Sequence, residues 1–211
     1  MIYQKFVKRF LDFLLALIGS IFLLPVFLIL ALIIRIKLGS PIIFSQRRLG
    51  KSAKVFKIHK FRTMTNATDE NGNLLSDEQR LTPFGKILRS TSLDELPEIF
   101  DILTGKLSII GPRPLIEEYL PYFTEEENAR HKVRGGLIPP EVLYKNIQPT
   151  WDEQLKYEAD YANKVTFITD CKILFATIGE LFHRNSVDYG SYVRPSLSEE
   201  RKQEKETTKV H

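Results

Sequence analysis

A pair of adjacent carboxylates is the first feature of this sequence that could do chemistry. Asp94 and Glu95 lie in the segment Leu93-Asp94-Glu95-Leu96-Pro97. Because proline favours the first position of a helix, a helix that begins at Pro97 would leave both carboxylates in the turn just before it. Carboxylates placed there can bind a divalent cation, and a carboxylate can also act as a nucleophile that forms an acyl phosphate. The same residues have a purely structural interpretation, since Ser92 and Glu95 have the spacing of a helix capping box.

Two further segments place cations close to polar groups. Residues 60–64 read Lys-Phe-Arg-Thr-Met, so that Lys60 and Arg62 share a short basic segment with a hydroxyl. By composition alone, such a segment is typical of sites for anionic lipid headgroups. Residues 111–114 read Gly-Pro-Arg-Pro and hold Arg113 between two prolines. A guanidinium on so stiff a backbone loses little entropy when it binds a phosphate through two hydrogen bonds, although the segment could equally be a connector with a solvated arginine.

Several other kinds of chemistry are excluded by what the sequence lacks. Cys171 is the only cysteine, so the chain has no internal disulfide and no cluster of thiolates for zinc, and it fits a reducing cytosolic environment. The four histidines have no metal-ligand spacing, and no glycine-rich nucleotide-binding motif occurs. Thirty lysines and arginines against 26 acidic residues give a net charge of +4, which is compatible with phosphates, acidic lipids or nucleic acid and does not choose among them.

The elements that must position these residues begin with an apolar segment. The 22 residues from Phe13 to Ile34 contain no ionisable side chain, and a helix of that length would cross the roughly 30 Å hydrocarbon core of a bilayer. A cleaved signal peptide is a poorer interpretation, because its apolar region is usually about 7–15 residues and ends in small residues, whereas Arg35 and Lys37 follow here. We therefore expect this segment to lie in lipid.

Basic residues flank both ends of the apolar segment, namely Lys5, Lys8 and Arg9 before it and Arg35, Lys37, Arg47, Arg48 and Lys51 after it. Both flanks would stay in the cytosol only if the segment turned back within the membrane. Pro25 lies near its middle and would remove a helical hydrogen bond there, so a re-entrant hairpin bent near Pro25 is one interpretation. A spanning helix with a tolerated proline kink is the other, because membrane helices often contain proline.

The residues after the apolar segment predict short strands and several helices. Residues 41–64 interleave basic and apolar side chains, which is typical of strands or an extended arm. Thr82 followed by Pro83 predicts a helix start, and residues 150–153 have the pattern of a capping box that starts another helix. From Phe167 to Phe182 apolar residues recur every three or four positions, which indicates a helix face that packs in a core or lies in a membrane interface.

The three chemical motifs together resemble those of a known enzyme family. Residues 60–64, 93–97 and 111–114, in this order behind a basic and apolar N-terminal segment, are similar to the bacterial sugar transferases, the monotopic phosphoglycosyl transferases. The resemblance runs from the N-terminus to about Leu115 and is looser in the C-terminal helices. In size, the chain resembles the small members of the family that lack additional membrane spans.

The resemblance implies an activity and a role for each motif. It implies transfer of a sugar 1-phosphate from a nucleotide diphosphate sugar, usually a UDP-sugar, to a polyprenol phosphate, which is the first membrane step of glycan assembly. It also implies that Asp94 is the nucleophile that forms a covalent phosphosugar intermediate, that Glu95 is the second member of the dyad, and that a magnesium ion bound by both is the cofactor. Arg113, together with Lys60 and Arg62 along the basic wall of the site, would bind substrate phosphate.

The resemblance also implies an architecture. The family's re-entrant membrane helix breaks at a Ser-Pro pair, and here Pro25 matches the proline whereas Leu24 replaces the serine. We expect an α-rich α+β fold in which residues 1–40 form a re-entrant membrane helix and residues 41–195 form a small catalytic domain with interfacial helices and little sheet. Residues 196–211 are charged and free of aromatic side chains, and they are expected to form a disordered tail. The catalytic domain would lie on the cytosolic face of the bacterial inner membrane, in contact with membrane lipids and with no nucleic acid partner.

The sequence departs from the family pattern after Arg134. The family commonly has Pro-Gly-x-Thr-Gly followed by Gln-Val-x-Gly-Arg, whereas residues 135–142 read Gly-Gly-Leu-Ile-Pro-Pro-Glu-Val. The loop that recognises the sugar or the base is therefore expected to be unusual, and an altered donor or a lost activity stays open. Two other functions stay open as well: a non-catalytic membrane-anchored scaffold that binds anionic lipids, and a nucleic-acid binder, which only the basic charge suggests.

Overall fold

Helices make up most of the chain, and the strands are short. A computed structural model describes residues 2–144, 149–183 and 194–209. Its α-helices are α1 (Lys8–Leu38), α2 (Asp77–Arg80), α3 (Pro83–Ser90), α4 (Glu98–Leu103), α5 (Trp151–Asn163), α6 (Phe167–His183) and α7 (Leu197–Lys209). Its strands are β1 (Ile43–Leu49), β2 (Val55–Phe61), β3 (Ser108–Ile110) and β4 (Gly136–Ile138), and they form two sheets, β1 with β2 and β3 parallel with β4. The predicted helix-rich fold with little sheet is confirmed.

Helix starts lie where the capping residues of the sequence place them. The hydroxyl of Thr82 accepts a hydrogen bond of 2.9 Å from the Gly85 backbone N–H at the start of α3. At the start of α5 the Thr150 hydroxyl accepts from the Glu153 backbone N–H, while the Glu153 carboxylate accepts from the Thr150 backbone N–H. These bonds satisfy backbone donors that a helix leaves without an internal partner, and they confirm both predicted starts.

The apolar N-terminal segment forms one continuous helix. After a turn of π-helix at Tyr3–Val7, α1 runs from Lys8 to Leu38 with Pro25 inside it. Within the described residues, this is the one helix long and apolar enough to cross a membrane. The helix continues through Pro25, and the re-entrant hairpin with a bend near this residue stays a prediction. The ring of a proline fixes φ near −65°, a helical value, and a helix can therefore continue through it with one hydrogen bond fewer.

The chain divides into two units. The Asp94 unit consists of Phe13–Gln46 and Lys57–Thr104, and the Arg113 unit consists of Met1–Asp12, Arg47–Phe56 and Gly105–His211. The core of the Asp94 unit joins the last turns of α1 to β2 and α3 through buried Leu30, Ile34, Phe61 and Leu88. The Arg113 unit has two apolar clusters, one around Leu155 and one around Ile173.

Polar contacts anchor the first turns of α1 in the Arg113 unit. The Lys8 ammonium lies 2.7 Å from the Asp170 carboxylate, and both side chains are buried. Asp170 also accepts a hydrogen bond of 2.6 Å from the Tyr3 hydroxyl. One turn further along α1, the Asp12 carboxylate accepts from the Ser108 hydroxyl at 2.7 Å. These bonds fix the start of the apolar helix to residues that follow it in the chain.

The apolar face predicted on α6 is mostly exposed. Ile173 is fully buried, whereas Phe167, Ile168 and Phe175 are 54%, 67% and 71% exposed. The exposed stripe begins next to α1, since the rings of Tyr3 and Phe167 meet edge to face at 5.8 Å. The sequence left two interpretations of this face, packing in a core or lying in a membrane interface. Only a minority of its residues pack in a core.

The C-terminal segment differs from the predicted disordered tail. Residues Leu197–Lys209 form α7, and the last two residues of the predicted tail lie outside the described part of the chain. Leu197 is fully buried in an apolar cluster with Trp151 and Leu155. The Arg201 guanidinium lies 2.6 Å from the carboxylates of both Glu127 and Asp152. One buried side chain and two ion pairs thus order a segment whose composition alone is too polar to fold.

A buried cluster of carboxyls and guanidiniums lies in the Arg113 unit. Glu158, on α5, is fully buried and forms an ion pair with Arg130 at 2.6 Å. Glu141, from the stretch that departs from the family pattern, has a buried Oε2 without a hydrogen-bond partner among the described residues. Burial, and then the negative charge of Glu158, raise the pKa of the Glu141 carboxyl to about 8.

The raised pKa of Glu141 predicts a pH-dependent stability. Its ordinary pKa is 4.5, so between pH 4.5 and about 8 the unfolded chain releases the proton while the folded chain keeps it. The Glu141 contribution to the free energy of unfolding should therefore fall as pH rises through this window, by at most about 1.4 kcal/mol per pH unit, and level off above it. Glu141→Gln should remove this component. Urea unfolding in detergent at five pH values from 5 to 9 measures it, with exposed Glu70→Gln as the matched control. A Glu141→Gln slope equal to that of the wild type would contradict the prediction.

Candidate active site

The two carboxylates lie in a tight turn that leads into α4. Residues Leu93–Glu95 form a turn of 3₁₀-helix, and Pro97 is the residue immediately before α4. Ser92 enters this turn in the left-handed region, with φ of 56°, and its side chain makes no capping hydrogen bond. The turn before the helix is thus where the sequence predicts it, whereas the capping-box alternative for Ser92 and Glu95 does not hold.

Asp94 is a buried carboxyl between charges of both signs. Its exposed fraction is 8%. Burial raises the pKa of Asp94, the negative charge of Glu95 raises it further, and the positive charges of Lys60 and Arg89 act in the opposite direction. A carboxylate in this setting is poorly solvated, and it gains from any additional cation that reaches the turn.

Lys60 is the cation that neutralises the acidic residues around the turn. From β2 its ammonium lies 2.5 Å from the Glu95 carboxylate and 3.3 Å from that of Glu98. The preceding residue extends the contact, because His59 donates its backbone N–H to Asp101 at 2.9 Å and its ring Nδ1 lies 2.8 Å from the same carboxylate. Two consecutive residues of β2 therefore hold three acidic residues of the turn and α4, which fixes the orientation of the turn that carries Asp94.

Arg62 is bound by backbone carbonyl groups. Its side chain is buried, and its guanidinium donates at 2.8 Å to the backbone carbonyl oxygens of Ser40 and Met64. A third carbonyl, of Pro41, lies at 3.4 Å. These contacts tie the end of β2 to the segment that follows α1, and they account for the buried charge without a substrate phosphate.

Arg89 is a residue near Asp94 that the sequence analysis did not select. It lies in the last turn of α3, and its Nε donates to the Thr63 hydroxyl at 3.2 Å. Helix α3 passes so close to this segment that a side chain on Gly85 would meet the Thr63 carbonyl oxygen at 2.0 Å. The signal in the sequence is a cation five residues before the candidate nucleophile, on a helix whose start at Thr82 was predictable.

The remaining candidate residues lie elsewhere. Arg113 belongs to the Arg113 unit, where its backbone N–H donates to Glu158 at 2.9 Å and its side chain is exposed. Pro25 lies on the exposed middle of α1. Ser20 and Leu24, which precede it in α1, line a small apolar recess against Leu96 and its neighbours on α4.

The carboxylates of the dyad are of the kind that binds Mg²⁺. Within the described residues, no group of three or more histidine, cysteine or acidic side chains could hold a metal ion. Mg²⁺, however, is usually bound through one or two carboxylates and takes its other ligands from substrate phosphates and water. Asp94 and Glu95 supply such a pair, and Lys60 already contacts one carboxylate oxygen of Glu95.

The chain is similar to known sugar transferases over most of its length. A family model for bacterial sugar transferases matches residues 3–184. The uncharacterized sugar transferase EpsL of Bacillus subtilis (strain 168) is 37% identical over 190 residues, which are 88% of this chain and 92% of that protein.

Two longer relatives carry more specific names. The UDP-N-acetylgalactosamine-undecaprenyl-phosphate N-acetylgalactosaminephosphotransferase of Aeromonas hydrophila is 33% identical over 181 residues, which are 82% of this chain and 43% of that protein. The UDP-glucose:undecaprenyl-phosphate glucose-1-phosphate transferase of Klebsiella pneumoniae is 30% identical over 197 residues, 85% of this chain and 41% of that protein. The chain thus spans less than half the length of these two relatives. Since the family match includes the turn with Asp94, the Lys60 segment and Arg113, this chain belongs to the bacterial sugar transferase family of enzymes.

Proposed function

We propose that this enzyme transfers a sugar 1-phosphate from a UDP-sugar to a polyprenol phosphate. The observation that carries the proposal is the buried Asp94 carboxyl, which lies beside Glu95 and under the influence of Lys60 and Arg89. The Aeromonas and Klebsiella relatives are named for UDP-sugars and undecaprenyl phosphate, which supports the same substrate classes here. The reaction would start the assembly of a glycan on a lipid carrier.

In the proposed first step, Asp94 acts as the nucleophile. A carboxylate oxygen of Asp94 bonds to the phosphorus that carries the sugar, and the bond from this phosphorus to the bridging oxygen of the diphosphate breaks. The electron pair leaves with that oxygen on UMP, and the enzyme keeps the phosphosugar as an acyl phosphate. Because the attacking carboxylate and the diphosphate are both negative, Lys60 and Arg89 lower the barrier by offsetting their repulsion.

In the proposed second step, the lipid acceptor takes the phosphosugar. An oxygen of the polyprenol phosphate bonds to the same phosphorus, the bond to Asp94 breaks, and the carboxylate is regenerated. The product is a polyprenyl diphosphate sugar, and no net proton is taken up or released over the two steps. A reaction in two steps suits a membrane interface, because the soluble donor can transfer its phosphosugar to the enzyme and UMP can leave before the lipid phosphate arrives.

The other residues of the turn hold charge and geometry. Glu95 and Glu98 keep Lys60 beside the turn, and the contact of His59 with Asp101 orients α4. Asp94 and Glu95 would hold Mg²⁺, which when bound would supply positive charge to the diphosphate oxygens. Phosphate binding by the Arg113 guanidinium is part of the same proposal.

We also propose that α1 enters and leaves the bilayer on one side. If α1 spanned the membrane, residues 1–12 would be separated by the bilayer from the residues after Leu38. Lys8, however, forms a buried ion pair with Asp170, and Asp12 accepts a hydrogen bond from Ser108. A spanning helix would break both contacts and carry the basic flank across the membrane. A UDP-sugar donor would place this side in the cytosol.

The exposed stripe of α6 supports the same placement. It continues from the start of α1 through the contact between Tyr3 and Phe167, and exposed aromatic side chains on an amphipathic helix are typical of the membrane interface. We propose that Phe167 and Phe175 lie among lipid headgroups and acyl chains.

The first prediction for this function is that Asp94→Asn abolishes the reaction. An amide has nearly the shape of a carboxylate but is not an anionic nucleophile, so UMP release should fall by at least about 10³-fold. The assay measures UMP release from UDP-glucose, UDP-galactose and UDP-N-acetylgalactosamine with undecaprenyl phosphate, and intact mass detects the phosphosugar adduct without acceptor. Asp77→Asn, on the surface of the same unit, is the matched control. Wild-type UMP release by a folded Asp94→Asn variant would favour the scaffold alternative or another nucleophile.

The second prediction concerns the metal. Removal of divalent cations with EDTA should stop UMP release because the diphosphate charge is then poorly neutralised, and added Mg²⁺ should restore it. Thermal unfolding should change little, since the dyad already has Lys60 as a protein counter-charge. Full UMP release in the presence of EDTA would show that the reaction needs no such ion.

The third prediction concerns the membrane. In a Cys171→Ser background, Ile2→Cys and Ser40→Cys should both react with a membrane-impermeant maleimide in inverted vesicles. Neither variant should react in intact cells. Phe175→Cys should react only after detergent is added, because its side chain would lie in lipid.

The two parts of this prediction fail separately. Reaction of Ile2→Cys in intact cells would show that α1 spans the bilayer. Ready reaction of Phe175→Cys in inverted vesicles would show that α6 faces water.

A further inference from the structure

The backbone on both sides of Arg113 is held by buried side chains. Residues 112 and 114 are prolines without a backbone N–H, so the chain here cannot continue a sheet ladder or a helix. The N–H of Arg113 donates instead to Glu158 Oε1 at 2.9 Å, and the Arg113 carbonyl oxygen accepts from the Arg130 guanidinium at 2.5 Å. Side chains thus replace the missing backbone partners of this one residue.

The two side chains also bind each other. Arg130 contacts Glu158 Oε2 through Nε and a terminal nitrogen, each at 2.6 Å, with exposed fractions of 2% for Arg130 and 0% for Glu158. The Gln154 side chain donates a further hydrogen bond, of 3.2 Å, to Glu158 Oε1. Within the described residues, the hydrogen bonds of the Glu158 carboxylate thus join it to Arg130, Gln154 and the Arg113 peptide.

A fully buried ion pair needs a reason besides stability. Removing two charges from water is so unfavourable that apolar replacements of similar volume are often as stable or more stable. Such a pair does fix geometry, because its hydrogen bonds are short and directional. Here that geometry is imposed on the peptide groups before and after the Cα of Arg113, while the Arg113 side chain itself is exposed.

The neighbouring glycines leave this segment no room to shift. A side chain on Gly111 would meet the Arg134 carbonyl oxygen at 2.5 Å, and one on Gly135 would meet Pro114 at 2.6 Å. The close approach of these backbones, together with the two prolines, restricts the path of the segment. The double glycine that departs from the family pattern is part of this packing.

We propose that Glu158 and Arg130 are positioning residues for Arg113, which they orient so that its guanidinium binds a phosphate of the nucleotide substrate. This inference rests on the proposed function, because it requires a nucleoside diphosphate as the ligand of Arg113. Neither positioning residue needs to touch the substrate. Their effect on binding passes through the Arg113 peptide alone.

The test is a double-mutant cycle on the affinity for UDP, measured calorimetrically with the full-length protein in detergent. Arg113→Ala should weaken UDP binding about tenfold or more, since it removes a charged two-pronged contact. Arg130→Lys keeps the buried positive charge but cannot reach both Glu158 and the Arg113 carbonyl oxygen, and it should weaken binding about three- to tenfold. In the Arg113→Ala background, Arg130→Lys should have no further effect.

Two more variants separate positioning from stability. Glu158→Asp keeps the buried negative charge but shortens the side chain, and it should weaken UDP binding about as much as Arg130→Lys does. It is preferred to Glu158→Gln, which leaves the charge of Arg130 unbalanced and could prevent folding. Tyr161→Phe, on the same helix, removes a hydroxyl that donates to Asp170 at 2.7 Å and does not touch Arg113. It should lower the melting temperature and leave the UDP affinity unchanged.

The outcomes distinguish this inference from the proposed function. Additive losses in the double variant, or an unchanged affinity in Arg130→Lys and Glu158→Asp, would overturn the positioning role while wild-type UDP binding still supports the function. An unchanged affinity in Arg113→Ala would overturn it as well, because Arg113 would then hold no phosphate. A wild-type protein that does not bind UDP would overturn both.

Discussion

A charge that leaves water must find a partner inside the protein, and this requirement explains most of the polar structure around both motifs. Asp94 is buried beside a second carboxylate, an arrangement that is unfavourable unless cations lie close by. Lys60 and Arg89 supply the positive charge, each from an element that is fixed by other contacts. The same requirement holds in the Arg113 unit, where Glu158 is fully buried and its charge is balanced by Arg130.

The pairing of charges also decides how the apolar helix is attached. Its middle is made of apolar side chains that belong in lipid, yet its first turns carry Lys8 and Asp12, which are buried and bonded to later parts of the chain. Its last turns pack Leu30 and Ile34 against Phe61 and Leu88. The contacts of Lys8 and Asp12 are what favours the proposed attachment of this helix from one side of a membrane. Such an attachment would keep an enzyme at the depth where a lipid phosphate lies.

The contacts of Arg62 and of the C-terminal segment could not be predicted from the sequence, for instructive reasons. Arg62 and Lys60 have the same charge and lie two positions apart, but Lys60 extends to the acidic turn whereas Arg62 is buried among backbone carbonyls. Composition cannot separate these two roles, because it records the charge and not its direction. The charged C-terminal segment is ordered by one buried leucine and by the ion pairs of Arg201 with Glu127 and Asp152. Its partners lie tens of residues away, so its own composition does not report them.

The sequence by itself determined the local features: the apolar segment, the starts of α3 and α5, the turn that carries Asp94 and Glu95 before α4, and the stiff display of Arg113. Each of these follows from the dihedral preferences and hydrogen-bonding groups of residues that are close neighbours in the chain. Only the tertiary structure decided which cations serve Asp94, where Arg62 lies and what holds Arg113. These outcomes depend on partners that are distant in sequence, such as Glu158, which lies 45 positions from Arg113 and 28 from Arg130. Contacts over such distances are set by how the elements pack, and neither periodicity nor spacing encodes them in a single sequence.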